Sequence, residues 1–390
     1  MHKPLAGIRV LDLTRLVPGP LGSLVLADLG AQVDKIEDPH GGDYLRHMPP
    51  QLGDPAAGGA ENAVFLALNR GKRSVVLDLK HEAGRATFER MLPRYDVLFE
   101  QFRPGVLDRL GLSHAALRAK FPRLIVCALT GYGQTGPLAR RAGHDLDYLA
   151  RSGLLGLTGP ADRPPQPPGY QLADVAGGLW SVIGILGALR SRDRSGEGAL
   201  LDVAMSEGTI PFAAVQLGSL STGDTSARGQ EPLTGGIAPY STYATGDGRF
   251  VALGALEPKF WKSFCDGVGL DADMTAMIPG PHQVDLRRKL EAIFATRTRD
   301  EWASFGAERD CCLEPVLEPH ELRDDGHLRA RGVFFTRATR FGESLQFRLP
   351  VGEPAEAPAP AMGEHTDAVL AECGLDAAEI AALRSAGAIR

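Results

Sequence analysis

Cysteine is sparse in this 390-residue chain, which carries only Cys127, Cys265, Cys311, Cys312 and Cys373. Five thiols at irregular spacing make no disulfide framework, and no CxxC or Cys/His cluster has zinc spacing. No metal site is therefore expected, and a reducing cytoplasmic setting fits. There is no uninterrupted run of about 18 apolar residues, so no membrane-spanning segment is expected. The opening "MHKPLAGIRVLDLT" lacks the basic, apolar and small-residue regions of a secretory signal and leads straight into a strand pattern. Positive charge is not in excess either: 42 Lys and Arg stand against 48 Asp and Glu, a net charge of -6, with both signs mixed along the chain. Without a basic stripe, nucleic acid is not an expected partner. A polyanionic ligand would have to be held by a local basic cluster, because the overall field does not attract it. The turn after the first strand, "TRLVPGPLGSLVLADLG", has no G-x-G-x-x-G. Prolines stand where a pyrophosphate cradle needs free N–H groups, which argues against a dinucleotide oxidoreductase.

What is present reads as α/β, and the length suits two domains. "IRVLDLT" (8–14), "QVDKIE" (32–37), "SVVLDLK" (74–80), "DVLFE" (96–100) and "LIVCALT" (124–130) are short apolar strands separated by helical stretches, notably 81–93 and 106–120. That alternation implies a mostly parallel, doubly wound sheet with functional loops at the carboxyl ends of its strands. "ADVAGGLWSVIGILGALRSR" (173–192) has helical length, and "GALLDVAMSEG" follows as a further strand. We expect a large domain over 1–204, a Ser/Thr/Gly-rich connector over 205–234 and a small α/β domain over 235–320 that opens with the hairpin "YSTYATGDGRFVAL". A return connector over 321–360 includes the Pro/Ala-rich "VGEPAEAPAPAMGEHT", and 361–390 is expected to pack on the large domain.

Several segments can carry chemistry, each with a plain alternative. "LNRGKRSVVLDLK" concentrates Arg70, Lys72 and Arg73 before a strand, either a solvated edge or a phosphate site, and "FRPGVLDRLGL" adds Arg103 just after one. "TGYGQTGP" places Gly131, Tyr132 and Gly133 at a strand end, a tight turn or a flat wall for a narrow ligand chain. "RAGHDLDYLA" sets His144 and Asp145 at a helix start, where capping competes with catalysis. Asp174 stands at the mouth of the long helix, followed by Gly177 and Gly178, which cost roughly 1 kcal/mol each against Ala. That cost suggests that something approaches the backbone closely. Glu257, before Pro258 in "GALEPKFW", is a turn residue or a functional carboxylate.

Together these segments resemble, in order and across nearly the whole chain, the family of α-methylacyl-CoA racemases and family III CoA-transferases. The match runs from "GIRVLDLTRLVPGPLGSLVLADLGA" through "LNRGKRSVVLDLK", "RPGVLDRLGL", "TGYGQTGP", "AGHDLDYLA", "LADVAGG", "GGIAPYSTYATGDG" and "GALEPKFW" to "RARGVF" and "MGEHTD". The resemblance implies an interlocked homodimer of Rossmann-like large domains and smaller α/β domains, with the active site between the large domain of one copy and the small domain of the other. It implies acyl-CoA substrates and no separate cofactor, since coenzyme A enters as part of the thioester. Arg70, Lys72, Arg73 and Arg103 would meet the CoA phosphates and adenine, with Gly131, Tyr132, Gly133, Asp145 and Tyr148 completing the substrate site.

Two chemistries remain open under this resemblance, and both use Asp174. In a transferase it attacks the thioester carbonyl and forms an anhydride. In a racemase it is half of an acid–base pair with His144, and Glu257 orients the histidine. The "GHD" and "GALEP" segments are similar to the racemase branch. An enolate also needs donors to its oxygen, for which the backbone N–H groups near Asp174 are the expected source. A non-catalytic CoA-binding role would require His144 and Asp174 to lie apart or in structural bonds. One departure stands out: Asp38 occupies a position where family members often carry a basic residue, so Arg46 or another cation would have to replace it.

Overall fold

Six apolar runs pair as one parallel sheet: β1 (Arg9–Asp12), β2 (Gln32–Glu37), β3 (Lys72–Val76), β4 (Val97–Glu100), β5 (Ile125–Thr130) and β6 (Leu200–Ala204). Their spatial order is 3-2-1-4-5-6, with Val10 opposite both Val33 and Val97. The central β4 and β5 are covered on both faces and read as near-continuous apolar runs, whereas β2 buries Asp34, Lys35 and Glu37 in ion pairs. One face carries α1 (Pro18–Asp28), whose residues are all buried, and α3 (Leu172–Ser195). On the other, Leu11, Ile36, Val75, Leu98 and Val126 pack with Phe88, Met91 and Leu117 from helices between the strands and with Val369, Leu370, Ile380 and Leu383 from helices after the last strand. A short helix, α2 (Asp145–Arg151), lies against α3.

The computed structural model describes residues 3–54, 56, 59–223 and 227–390. They divide into two units. The first comprises the chain up to Ser152, Tyr170–Pro211 and Gly326–Arg390; the second comprises Gly153–Gly169 and Phe212–Asp325.

The paired glycines of α3 have a packing explanation. A Cβ on Gly178 would lie 2.4 Å from the Pro18 carbonyl oxygen, and one on Gly22 would lie 3.0 Å from the Gly178 oxygen. A Cβ on Gly177 would meet Met205 at 2.6 Å. What approaches this backbone is α1 and Met205, so the helical cost of glycine is offset by close helix packing. By length and composition α3 could cross a membrane, yet half of its apolar window is buried inside the protein. Leu179, Ile183 and Leu186 form an exposed stripe, at 42%, 56% and 37% exposure.

The second unit holds an antiparallel sheet of β7 (Tyr240–Ala244), β8 (Phe250–Gly254) and β9 (Leu313–Pro315), with β8 central. Helices α4 (Pro258–Val268), α5 (Gln283–Phe294) and α6 (Arg299–Arg309) enclose an aromatic core of Tyr243, Trp261, Phe264, Phe294, Trp302 and Phe305. Tyr243 stacks on Phe294 at 4.8 Å, and such pairs add about 0.5–1.5 kcal/mol beyond their buried area.

Two segments expected as connectors are largely structured. Within 205–234, Met205–Thr209 and Ala214–Ser221 are helical, and residues 224–226 lie outside the described residues. Gly208 makes room for Trp180: a Cβ there would meet the indole at 2.8 Å, and the indole N–H donates to the Gly208 oxygen at 2.8 Å. Arg228 donates to the carbonyls of Gly156, Pro160 and Arg163, tying the Pro-rich 153–169 segment into the second unit. Within 321–360, a hairpin of β10 (Phe334–Thr339) and β11 (Gly342–Phe347) belongs to the first unit, where Arg340 pairs with Glu61 at 2.6 Å. The Pro/Ala composition downstream obscured its β-rich "FFTRATRFGESLQF".

Candidate active site

A cleft of about 370 Å³ opens in the first unit at the carboxyl ends of β1, β4 and β5. The strand order reverses between β1 and β4, which is where doubly wound sheets bind ligands. Leu16 and Pro18 follow β1, Gln101–Pro104 follow β4 and Gly131 follows β5; His144, Tyr148, Asp174 and Met205 complete the wall.

His144 precedes α2, and its backbone N–H donates to Asp147 Oδ2 at 2.9 Å. The imidazole is exposed and stands over the first turn of α2, in a capping-box arrangement with Asp147. Asp174 stands in the first turn of α3. Burial and the neighbouring Asp145 charge push its carboxyl up to about 6, with His144 pulling in the opposite direction. The two groups thus share one cleft, and the His144 charge acts on the Asp174 carboxyl.

Asp145 has a different place from the one expected. Its Oδ1 accepts the N–H groups of Ala173 at 2.7 Å and Asp174 at 3.0 Å, so it caps α3 from another helix. These are the very N–H groups expected to stabilise an enolate, and they are already occupied. The N–H groups of Asp145 and Leu146, at the start of α2, have no acceptor among the described residues. Tyr148 is buried; burial and the Asp174 charge push its hydroxyl up to about 12, and it donates to the Gly143 oxygen at 2.5 Å. A Cβ on Gly131 would sit 2.4 Å from the Tyr148 ring, so glycine is required there. Tyr132 packs edge-on against the same ring at 5.1 Å. Gly133 takes the left-handed turn that precedes Gln134, whose N–H is held by Asp202. Of the three loop residues only Gly131 lines the cleft.

The basic triplet is not at the cleft. Arg70 is fully buried and pairs with Asp28 at 2.5 Å. Lys72 donates to the Pro20 carbonyl at 3.0 Å and to Asn69 at 2.9 Å, and burial lowers its amine to about 7. Arg73 is shared between Asp34 at 2.7 Å and Glu372 at 2.6 Å. All three stand at the amino end of β3, whereas the clefts open at the carboxyl ends of the sheet. Arg46 is also taken, by Glu37 at 2.6 Å and Glu61 at 2.6 Å, over the Phe65 ring. Burial pushes the Glu37 carboxyl up, but Arg46, Lys35 and Ser74 more than offset this and hold it at about 2. Of the four predicted cations, only Arg103 lines the cleft.

Sequence reasoning missed a second cleft of about 250 Å³ in the same unit. Its cations are Arg15, Lys80 and Arg109, and its walls are Leu13, Ile36, Leu77, Leu79 and Leu110. Phe102 lines both clefts. Its N–H donates to Glu100 at 2.7 Å, and His114 lies 3.0 Å from the same carboxylate. Asp38 lines this second cleft, 3.8 Å from Lys80. Glu257 belongs to the second unit, where it precedes α4 with its side chain exposed.

A doubly wound sheet with an imidazole and a carboxyl raised to about 6 in one cleft, beside a second pocket with cationic and apolar walls, is an arrangement suited to an anionic, partly apolar ligand. The chain matches the family model "CoA-transferase family III" over residues 5–366. It is 38% identical to the α-methylacyl-CoA racemase of Homo sapiens over 98% of this chain and 96% of that protein. It is 41% identical to the acetyl-CoA:oxalate CoA-transferase of Acetobacter aceti over 68% of this chain and 67% of that protein. Among solved structures, a CAIB/BAIF family protein from Brucella suis superposes with a TM-score of 0.83 at 32% identity, covering 96% of this chain and 100% of that one. The chain belongs to CoA-transferase family III, and it is an acyl-CoA enzyme.

Proposed function

We propose that the protein racemises 2-methylacyl-CoA thioesters by proton transfer between His144 and Asp174. The observation that carries this reading is the presence of both groups in one cleft, with Asp174 raised to about 6. A carboxyl poised near neutrality can both take and return a proton. One group removes the α-hydrogen as the thioester becomes an enolate; the other delivers a proton to the opposite face, and C–H bonds broken and formed balance. The enolate oxygen needs a donor, and the unengaged Asp145 N–H beside His144 is assigned that role. The second cleft would take the nucleotide end of CoA, with Arg15, Lys80 and Arg109 toward phosphates and the leucine walls toward the base. They stand in for the basic residue that Asp38 replaces. Arg103 serves the first cleft.

The Rossmann-like large domain and small domain are assigned to an interlocked homodimer, in which Glu257 would reach His144 of the other copy. The exposed stripe Leu179, Ile183 and Leu186 supports burial against a second chain.

A second reading is favoured by the 41% identity to a CoA-transferase. In it Asp174 attacks the thioester carbonyl and forms a mixed anhydride, expelling CoA thiolate. The thiolate attacks the Asp174 carbonyl and the first acid leaves as carboxylate. A second acid then takes CoA from the aspartyl thioester through a second anhydride, and His144 has no obligatory step. Incubation with a 2-methylacyl-CoA in deuterated water separates the two. Racemisation washes deuterium into the α-position with no added acid. Deuterium excluded, with CoA moving to an added carboxylic acid and the 2-methylacyl group leaving as its free acid, would establish the transferase.

A further inference from the structure

The loop between β1 and α1 forms wall in both clefts: Arg15 lines the second, Leu16 and Pro18 the first. Leu16 has φ of 62°, a left-handed conformation that a leucine adopts only when its surroundings impose it. The imposing group is Asp43. The Leu16 N–H donates to both carboxylate oxygens of Asp43, at 3.2 and 3.3 Å. Asp43 is 1% exposed and lines neither cleft. Its own N–H donates to Glu37 at 2.9 Å, and it accepts the Leu45 N–H at 3.1 Å. Lys35, fully buried, lies 3.1 Å from Asp43 and donates to the Thr14 carbonyl at 2.6 Å. One buried ion pair therefore grips the loop on both sides of Arg15, at the Thr14 carbonyl and at the Leu16 N–H. The next residue after Asp43, Tyr44, is itself part of the first cleft.

We infer that Asp43 is a positioning residue, which holds Leu16 left-handed and thereby sets the wall against which an acyl-CoA lies relative to His144 and Asp174. The inference rests on the acyl-CoA reading of the two clefts. Burying a charged pair is costly, and its stabilising value is weak unless it fixes a specific geometry. Here the geometry fixed is a strained residue at the site. Ordinary fold stability is the competing explanation, and it makes a different prediction.

The test is a double-mutant cycle between Asp43→Asn and Leu16→Gly. Glycine reaches positive φ without the Cβ penalty, so it does not need the clamp. Asp43→Asn alone should lower kcat/KM for whichever acyl-CoA turnover the wild type shows, and raise the Kd for CoA, by about 5–30-fold, the left-handed penalty of a non-glycine residue expressed as a ratio. In the Leu16→Gly background the same substitution should cost less than about 3-fold, while the melting temperature falls equally in both backgrounds. Equal losses in the two backgrounds, or none in either, would overturn the inference. If Asp43→Asn does not fold, Asp43→Glu keeps the charge but displaces the acceptor, and the same loss and rescue are expected. A wild type that turns over no acyl-CoA refutes the functional reading alone, since the CoA Kd still judges the clamp. A wild type that does not bind CoA removes both.

Discussion

Asp174→Asn should make the protein more stable at neutral pH while abolishing its chemistry. The carboxyl is raised from 3.8 to about 6 by burial and by Asp145, so its ionised form is disfavoured in the folded state. A raised carboxyl binds its proton more tightly when folded, so between pH 3.8 and about 6 stability falls as pH rises, and above that window the whole cost is present. The displacement is worth at most about 3 kcal/mol. Asp174 is only partly buried, and screening reduces the figure to about 1–2 kcal/mol. The side chain accepts no hydrogen bond among the described residues, so the near-isosteric amide loses nothing that offsets the gain. The expected rise in melting temperature is about 1–3 °C at pH 7.5 for a chain of this size. Calorimetric melts of ligand-free wild type and variant from pH 4 to 8 should show the difference shrinking to nothing near pH 4. A difference that does not change with pH, or a less stable variant at pH 7.5, would refute the reasoning. The sign expresses a trade of stability for a functional carboxyl.

Three other outcomes follow from the same geometry. Arg46→Met should destabilise the first unit by about 3–5 kcal/mol in urea unfolding, because Glu37 and Glu61 lose their buried cation; a loss under 1 kcal/mol would contradict the ion-pair account. Arg109→Glu should raise KM for acyl-CoA by more than about tenfold with kcat little changed, the signature of lost uniform binding; an unchanged KM removes the second cleft from the proposal. Ile183→Asp should convert a dimer to monomer in sedimentation at micromolar concentration, and an unchanged assembly would exclude the α3 stripe as its interface.

The sheet was legible because short β-rich segments alternate with helical stretches, most clearly the buried "VLFE" and "IVCALT". His144 and Asp174 were legible because each stands at the start of a helix with chemistry available to it. The cation assignments were not. Arg70, Lys72 and Arg73 read identically whether their partners are phosphates or Asp28, Asn69 and Asp34, and those partners come from elsewhere in the chain. Position along the strand held the missing signal: the triplet opens β3, whereas Arg15, Lys80 and Arg109 lie beyond the carboxyl ends of β1, β3 and β4. Asp145 beside the candidate histidine looked like a substrate contact, and only tertiary structure shows it capping α3. The glycines of α3 announced a close approach correctly, but composition could not say that the visitor was α1.

Solvent exchange measured separately on each enantiomer of a 2-methylacyl-CoA tests the central claim most directly. Two bases on opposite faces mean that each enantiomer presents its α-hydrogen to a different residue. His144→Ala should therefore abolish inversion, by about 10²–10⁴-fold, while still washing deuterium into the one enantiomer whose hydrogen faces Asp174. Asp174→Asn should show the complementary preference. Equal exchange of both enantiomers by His144→Ala, or an acid-dependent CoA transfer that survives His144→Ala and dies with Asp174→Asn, would contradict the account.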